Sequence, residues 1–262
     1  MVMFEVLKCI GKGTYGEVYL VKDKKEKVFA IKKMLQKNDF EIELMRQIQH
    51  PFIMSSVRDY FLKNKNYILM DFMQGGELFY HMVKGNISES TALIYIKELI
   101  CALQYLHSNN IIHGDLRPEN ILIGIDKHIK ITDFGLSYEN STERLVNWKV
   151  KEHILKKNIN MSNLYRIDRV IKMKNIGFNM DWWSLGILCA ELFGKCLPFC
   201  LIDETLHKDV MHNISKFKSS KDKKYLNKDF PEKYLDLVYN LLFKVNTFED
   251  ISKKPLFKNT NW

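Results

Sequence analysis

Cysteine is scarce in this sequence, and its spacing argues against two common kinds of protein. Five cysteines occur among 262 residues, which is an odd number. None has the paired Cys-x-x-Cys spacing of zinc or redox sites, and the eight histidines form no cluster with metal-ligand spacing. A disulfide-stapled secreted protein and a structural zinc site are therefore not expected. We predict a reduced compartment, cytoplasmic or nuclear. The cysteines are Cys9, Cys101, Cys189, Cys196 and Cys200.

Long apolar runs are also missing. None approaches the roughly 20 residues that a membrane-spanning helix needs. Residues 1–5 lack the charged region and apolar run of a secretory signal. We therefore expect no membrane association. The sequence has no internal repeat and no low-complexity linker, so its length predicts a single domain without room for a regulatory module.

The charge of the chain is basic but diffuse. Lysine and arginine total 40 against 31 acidic residues, a formal net charge of +9. Such an excess is compatible with nucleic-acid binding. Here, however, the lysines are scattered along the whole chain and form no stripe. A solvated surface is the better interpretation, and nucleic acid is an unlikely partner.

Polar residues with the spacing that phosphoryl transfer needs follow a helix-like apolar run. Asp115 is followed five residues later by Asn120, and thirteen residues further on by Asp133-Phe134-Gly135. A carboxylate can accept the proton of an attacking hydroxyl, and two further oxygen ligands can hold Mg²⁺. The segment from His113 to Asn120 is therefore predicted to be a catalytic loop.

A glycine motif near the start of the chain supports a nucleotide site. Gly11, Gly13 and Gly16 form a GxGxxG pattern, which by itself is weak. A dinucleotide site would need a helix directly after the glycines. Here strand-like segments surround a charged turn at residues 22–27, and the second segment ends at Lys32. This hairpin pattern favours a glycine turn lying over a triphosphate.

Together these motifs resemble the eukaryotic protein kinase family, and Pro118-Glu119-Asn120 resembles its serine/threonine branch. Gln74–Phe79 resembles the cyclic-AMP-dependent kinase, and the end of the chain resembles the last helix of the AGC group that contains it. The resemblance covers the whole chain. It implies an α+β, bilobal fold with a small, mostly antiparallel β N-lobe carrying one helix at 1–70, a hinge at 71–76 and a larger, mostly helical C-lobe at 77–262.

The resemblance implies binding of ATP and Mg²⁺ and assigns roles to individual residues. Asp115 would accept the substrate proton, and Asn120 and Asp133 would hold the metal. Lys32, paired with a helical Glu, would hold phosphates. Arg117, in place of the usual Lys, would neutralise the γ-phosphate. The positions implied to contact the nucleotide are Gly11, Lys12, Gly13, Thr14, Tyr15, Gly16, Val18, Ala30, Lys32, Met70 as gatekeeper, Asp71, Met73, Glu77 and Leu122.

The glutamate that pairs with Lys32 is predicted to be Glu41, with Glu43 as the competitor. Glu41 fits better because Ile42, Met45 and Ile48 then form an apolar face at helical spacing. Only nine residues separate Lys32 from Glu41, about half the family interval. The sequence leaves open whether the ion pair closes.

Several departures from the family favour an alternative, a pseudokinase that binds nucleotide or a partner protein as a scaffold. Gly114 replaces the usual Arg of the catalytic loop. Ser56 falls where an apolar residue normally joins an internal stack, and a buried unpaired hydroxyl there would cost about 1–3 kcal/mol. Arg169 stands where a Glu is expected. An active enzyme is still favoured because Lys32 and the other chemical groups are retained.

Substrate choice and regulation are also predicted from the resemblance. Glu77, Glu119 and Asp209 align with acids that read substrate arginines, so basic protein substrates are expected. Gly114 has no side chain to bind a phosphate on the activation segment, and Asn158 occupies the position that is phosphorylated in the family. Ser162, by contrast, keeps a hydroxyl near the catalytic Asp. Activity independent of activation-segment phosphorylation follows, and a regulatory protein partner is left open.

Overall fold

A five-stranded antiparallel sheet with one helix is followed by a mostly helical part, so the α+β architecture predicted from the sequence is confirmed. The computed structural model describes most of the chain. The described residues are 4–13, 16–140, 164–165, 177–199, 207–245, 247–258 and 260, with only the backbone of 207–209.

The sheet is built from hairpins, with strand order β1-β2-β3-β5-β4. The β2–β3 turn is closed by Asp23, whose Oδ1 accepts hydrogen bonds from the amides of Lys25 and Lys27 at 2.8 and 3.0 Å. An aspartate that accepts bonds from the following backbone favours such a turn. The strands are β1 (Glu5–Lys12), β2 (Gly16–Lys22), β3 (Val28–Met34), β4 (Ser56–Leu62) and β5 (Lys65–Asp71).

Helix α1 (Asp39–Gln47) crosses behind the sheet and is only nine residues long. Its N-cap is Asn38, whose side chain accepts a hydrogen bond from the amide of Glu41 at 3.2 Å. The inward face carries Glu41, Leu44 and Met45. The predicted apolar face packs inward, since Met45 and Ile48 are buried and the half-buried Ile42 packs against the core.

The chain passes from the sheet to the helical part through residues 72–75 and then forms β6 (Gly76–Glu77) and α2 (Leu78–Val83). Gly75 lies against the backbone of Ile123, to whose carbonyl its amide donates at 2.9 Å. A Cβ at position 75 would lie 2.7 Å from that oxygen, so only glycine fits this crossing.

A second, three-stranded sheet supports the floor of the cleft. Its strands lie in the order β6-β7-β8, with β7 at Ile121–Ile123 and β8 at Ile129–Ile131. The two parts of the molecule are joined here, since the amide of Met54 donates to the Ile131 carbonyl at 2.8 Å and the Ile131 amide donates to Phe52 at 2.9 Å. Segments from both parts therefore share one hydrogen-bonded edge.

Two long helices form the core of the helical part. Helix α3 (Glu89–Ser108) has Ser88 as its N-cap. Helix α4 (Asn179–Gly194) is buried on nearly every side, as is typical of a helix with apolar residues all round. The shorter helices are α5 (His207–Ser220), α6 (Leu235–Phe243) and α7 (Phe248–Ser252).

Helices α4 and α6 are in close contact. A Cβ at Gly186 would lie 2.8 Å from Leu242 Cδ2, so a side chain there would push α6 away. The apolar stripe of α6 faces the core, because Leu235, Val238, Leu241 and Leu242 are all buried. Among the described residues no helix is both long and apolar enough to cross a membrane.

Candidate active site

A cleft of about 910 Å³ lies between the sheet and the helical part. This volume lies within the range of small-molecule sites. Every described residue that the sequence assigned to the nucleotide lines it, whereas Thr14 and Tyr15 lie outside the described residues. The residues brought together are Gly11, Lys12, Gly13, Gly16, Val18, Ala30, Lys32, Met70, Asp71, Met73, Glu77 and Leu122.

The glycine turn forms one wall of the cleft. Strands β1 and β2 pair up to Gly11 and Val18, and the amide of Gly13 donates to the Gly16 carbonyl at 2.9 Å. A Cβ at Gly16 would lie 2.7 Å from the Lys33 carbonyl oxygen of β3. Glycine is therefore required where β2 starts.

Three charged side chains meet at the back of the cleft. Lys32 Nζ lies 2.5 Å from Glu41 Oε1 and 2.8 Å from Asp133 Oδ1. The ion pair that the sequence left open is formed, and Glu41 rather than Glu43 makes it. The shortened loop before α1 still permits the contact, because α1 begins at Asp39 and places Glu41 in its first turn.

Burial and mutual attraction set the protonation of this group. Burial disfavours the ammonium of Lys32, but the Asp133 and Glu41 carboxylates outweigh it and raise the pKa of Lys32. Burial also opposes ionisation of Asp133, yet the nearby ammonium holds its pKa below the usual range. For Glu41 burial prevails and raises the pKa. Among the described residues its Oε2 is buried without a hydrogen-bond partner.

Asp181 at the start of α4 braces the catalytic loop. Its carboxylate accepts hydrogen bonds from the backbone amides of His113 and Gly114, both at 2.9 Å, and lies 2.9 Å from His107 Nε2. The side chain is fully buried. Burial alone would raise the pKa of Asp181, but the bond to His107, the nearby His113 ring and the Gly114 amide hold it below its ordinary value. These bonds fix the backbone of the catalytic loop at His113 and Gly114.

The backbone at Gly114 explains why glycine suits this departure from the family. Its φ is +76°, and a Cβ there would lie 3.1 Å from the Leu136 carbonyl oxygen. Residues other than glycine are strained in this conformation. Glycine at position 114 therefore avoids backbone strain in the loop. It also means that the cationic side chain usual in the family is absent at this position.

Asp115 and Asn120 face the cleft from the catalytic loop. Asn120 Nδ2 donates to the Asp115 carbonyl at 2.8 Å and to its Oδ2 at 3.1 Å. A short 3-10 turn, Pro118–Asn120, fixes this arrangement. The Asp115 carboxylate is thus held in one orientation by a neutral donor, and a carboxylate so placed suits the role of a proton acceptor.

The guanidinium of Arg117 is bonded to a neighbouring residue of the catalytic loop. It makes a two-bond ion pair with Glu119, with Nε donating to Oε2 at 2.8 Å and Nη2 contacting Oε1. The bond from Glu119 raises the pKa of Arg117. Burial opposes ionisation of Glu119, but Arg117 lowers its pKa. Both side chains line the cleft.

The acids predicted to read basic substrates are only partly brought together. Glu77 and Glu119 both line the cleft, and burial followed by repulsion from Glu119 raises the pKa of Glu77. The side chain of Asp209 lies outside the described residues. Glu191 of α4, which was not predicted from the sequence, accepts a hydrogen bond from Tyr165. Burial is the main cause of the raised pKa of Glu191, and repulsion from Glu119 adds to it.

The cleft also includes residues not predicted from the sequence. Thr132 directly precedes Asp133 and is held by its amide, which donates to the Asn120 carbonyl at 2.9 Å. Its position next to the metal-ligand candidate was the available signal. Further lining residues that were missed include Ile10, Met45, Phe72, Gln74, Gly75 and Tyr80.

The internal stack behind the site is formed. Met45, His113 and Phe134 are buried, and the His113 and Phe134 rings meet edge to face at 5.1 Å. Ser56 is only half-buried and is not among the buried polar atoms that lack a partner. The expected penalty of an unpaired hydroxyl therefore does not apply.

Within residues 141–176 the structure describes Leu164 and Tyr165, and both are bonded to α4. The Leu164 carbonyl accepts a bond from Trp183 Nε1 at 2.9 Å, and the Tyr165 carbonyl accepts one from Ser184 Oγ at 2.7 Å. The remaining predictions for this segment concern residues that the structure does not describe: Asn158, Ser162 and Arg169.

The metal candidates fit a cation shared with phosphates. Asn120 and Asp133 face the same cleft and offer one amide and one carboxylate. In the described part of the chain no three His, Cys, Asp or Glu side chains form a metal-binding group. Mg²⁺ typically takes one or two carboxylates and completes its shell with phosphate and water. The residues present therefore suit a nucleotide-bound cation.

Comparison with known proteins agrees with this geometry. The chain is 35% identical over 281 residues to Protein kinase 3 of Dictyostelium discoideum, an alignment covering 99% of this chain and 30% of that protein. It is 36% identical over 210 residues to the human cAMP-dependent protein kinase catalytic subunit PRKX, covering 75% and 55%. It is 31% identical over 279 residues to Serine/threonine-protein kinase AtPK2/AtPK19 of Arabidopsis thaliana, covering 99% and 55%.

The chain thus spans between 30 and 55% of the length of these relatives. The family described as protein kinase domain matches residues 4–254. That range includes the glycine turn, the Lys32 ion pairs and the catalytic loop. The chain therefore belongs to the protein kinase family.

Proposed function

We propose that this protein is a serine/threonine kinase that transfers the γ-phosphoryl group of ATP to a hydroxyl of a protein substrate. The observation that carries the proposal is the formed Lys32–Glu41–Asp133 group, opposite Asp115 and Asn120 in one cleft. Phosphoryl transfer depends mainly on positioning and charge stabilisation, and these side chains supply both. The names of the three relatives, all kinases, support the same activity.

Each residue has a defined part in this reaction. Lys32, held by Glu41, would bind phosphate oxygens, and the glycine turn would cover them. Asp115 would take the proton of the attacking hydroxyl while Asn120 keeps its carboxylate oriented. Mg²⁺, when bound by Asn120 and Asp133, would neutralise phosphate charge.

The second candidate function is a pseudokinase scaffold, favoured by Gly114. Of the sequence features behind it, two weaken: the short α1 still closes its ion pair, and Ser56 is not fully buried. Thermal unfolding with Mg·ATP, run beside incorporation of radiolabelled phosphate into a generic substrate, separates the two. Stabilisation with turnover supports the kinase, and stabilisation without turnover supports the scaffold. Asp133→Ala is the control, and it should lose both the stabilisation by Mg·ATP and the incorporation of phosphate.

Partners and location are further parts of the proposal. Protein substrates follow from the activity, and free cysteines such as Cys9 and Cys196 on the surface support a reducing compartment, cytoplasmic or nuclear. The diffuse positive charge gives little support to nucleic-acid binding.

Substrate preference is expected to be basic. On a peptide array, sequences with arginine before the serine should be phosphorylated about tenfold better than matched sequences without it, because Glu77 and Glu119 offer carboxylates to a guanidinium. Glu119→Gln should reduce this ratio. A preference for acidic or proline-containing peptides would overturn the prediction.

Activity is expected without activation-segment phosphorylation. Gly114 offers no side chain to bind a phosphate on the activation segment. Removing such a phosphate should therefore break no contact with residue 114. Phosphatase treatment of the purified protein should leave the rate within about twofold of the untreated enzyme, since no such charge-assisted bond is lost. A large drop, mapped by mass spectrometry to a phosphosite within 137–162, would show that another residue reads the phosphate.

A further inference from the structure

Arg117 and Glu119 form a closed pair within the cleft. The guanidinium and carboxylate meet through two parallel contacts, one of them at 2.8 Å, and their side chains are 26 and 32% exposed. Two-bond pairing of this kind is the strong geometry for arginine and carboxylate. Arg117 is extended and Pro118 starts the following 3-10 turn, so the local backbone places the two side chains side by side.

This pair places two competing demands on each member. Glu119 is one of the acids that would bind a substrate arginine, and both of its oxygens contact Arg117. Arg117 is the cation that would meet the γ-phosphate, and its guanidinium is directed at Glu119. Neither residue can serve its proposed partner fully while the pair is closed.

The neighbouring acids are not held in the same way. Tyr165 donates to Glu191, which gives that carboxylate a neutral partner. The side chain of Glu77 makes no hydrogen bond at the N-terminus of α2. Burial and then repulsion from Glu119 raise its pKa, and the attraction of Arg117 is weaker than both. Among these three acids, Glu119 is the one whose partner is a cation that a phosphate can attract.

We propose that Arg117 gates Glu119, so that a bound triphosphate draws the guanidinium from the carboxylate and frees it for a substrate arginine. The proposal rests on the proposed kinase function. A γ-phosphate carries more charge than a carboxylate and also accepts two parallel bonds from arginine. Nucleotide and basic substrate then strengthen each other's binding by one and the same factor.

Lysine would make a weaker gate. Its ammonium is a point charge that cannot match both carboxylate oxygens in one plane. Arginine, in place of the lysine usual in the family, thus gives position 117 a function that lysine would perform poorly. The departure noted in the sequence becomes a device that links substrate recognition to nucleotide occupancy.

The test measures peptide binding rather than turnover. A fluorescent peptide with arginine before an alanine that replaces the target serine is titrated with the protein, and its anisotropy gives Kd. With Mg²⁺ and an ATP analogue whose β and γ phosphates are bridged by nitrogen, Kd should fall about tenfold relative to the nucleotide-free protein. Mg·ADP, which lacks the γ-phosphate, should leave Kd within about twofold because the gate stays closed.

Variants distinguish the gate from a general charge effect. Arg117→Met should bind the peptide without nucleotide about as tightly as the wild type does with the triphosphate analogue, and the analogue should add little. Without nucleotide, the Kd of Arg117→Lys for the peptide should lie between that of the wild type and that of Arg117→Met. Arg58→Met removes an exposed positive charge on β4 and should behave as the wild type. Thermal unfolding of each variant checks that it is folded.

Two kinds of failure can be told apart. If a peptide with citrulline in place of arginine binds equally well in every state, the proposed basic specificity is wrong and the gate has no substrate to control. If arginine is preferred but Kd is the same with Mg·ADP and the triphosphate analogue, or unchanged in Arg117→Met without nucleotide, the gate is overturned while the kinase function stands.

Discussion

Replacing Asp115 by Asn should lower kcat by about 10²–10⁴-fold, the range typical of removing a positioned acid or base. Affinity for Mg·ATP should change by about twofold or less, because Asp115 faces the attacking hydroxyl and the nucleotide is held by other groups. The geometry supports this separation. Asn120 donates to the Asp115 side chain at 3.1 Å, whereas the phosphate-binding candidate Lys32 is tied to Glu41 and Asp133.

The measurement combines single-turnover phosphorylation of an arginine-containing peptide with nucleotide binding by calorimetry. Asn is nearly the same size as Asp and keeps one oxygen as an acceptor, so the loop should remain folded. Asp229→Asn, an exposed aspartate outside the cleft, is the matched control and should leave both quantities unchanged. A variant as active as the wild type would mean that another group accepts the proton.

Sequence reasoning succeeded where a backbone pattern or a motif determined the outcome. The β2–β3 hairpin and the start of β3 at Val28 follow from the strand pattern, although β3 continues past the predicted Lys32 to Met34, and the burial of α4 follows from its mostly apolar sequence. The choice of Glu41 over Glu43 was also correct, since helical spacing decides which acid faces inward. Whether Glu41 reaches Lys32 depends on the residue at which α1 begins. The structure shows that Asn38 caps the helix and that Glu41 lies in its first turn, which the sequence alone did not determine.

The direction of long side chains was not predictable in the same way. Arg117 was assigned to a phosphate, but in the structure it contacts Glu119, two residues further on. Arginine has several rotatable bonds, and its spacing in sequence does not choose between two anionic partners. Proximity of Glu119 on the turn at Pro118–Asn120 decides the state described here.

Glu191 illustrates a signal that was present but unused. It is a carboxylate in the stretch Leu185–Gly194 of α4, which is otherwise apolar, and acids are seldom placed in such surroundings unless they are paired. The structure supplies the partner, Tyr165, from a segment whose course no local pattern predicted. A charged residue inside an apolar helix would have been the reason to examine that position.

Removing the carboxylate of Asp181 should have the largest effect on stability. In Asp181→Ala the buried amides of His113 and Gly114 lose their acceptor, and each unsatisfied donor costs about 1–3 kcal/mol, or about 2–6 kcal/mol for both. For a domain of this size that loss corresponds to a decrease in Tm of about 5–20 °C. Asp236→Ala removes an exposed aspartate paired with Lys221 and should lower stability by about 1 kcal/mol or less.

The pH dependence identifies the carboxylate as the cause. Despite its burial, Asp181 has a lowered pKa in the folded protein because of His107 and the loop amides. A carboxylate with a lowered folded pKa stabilises the protein fully above its unfolded pKa of about 3.9 and loses this contribution as the pH falls through the folded pKa. The difference in Tm between the wild type and Asp181→Ala should therefore stay constant from about pH 5 to 8 and narrow in stronger acid, below about pH 4. Differential scanning calorimetry across this range measures it. A difference that is already lost near neutral pH would instead indicate that protonation of His107, and not ionisation of Asp181, controls the loop.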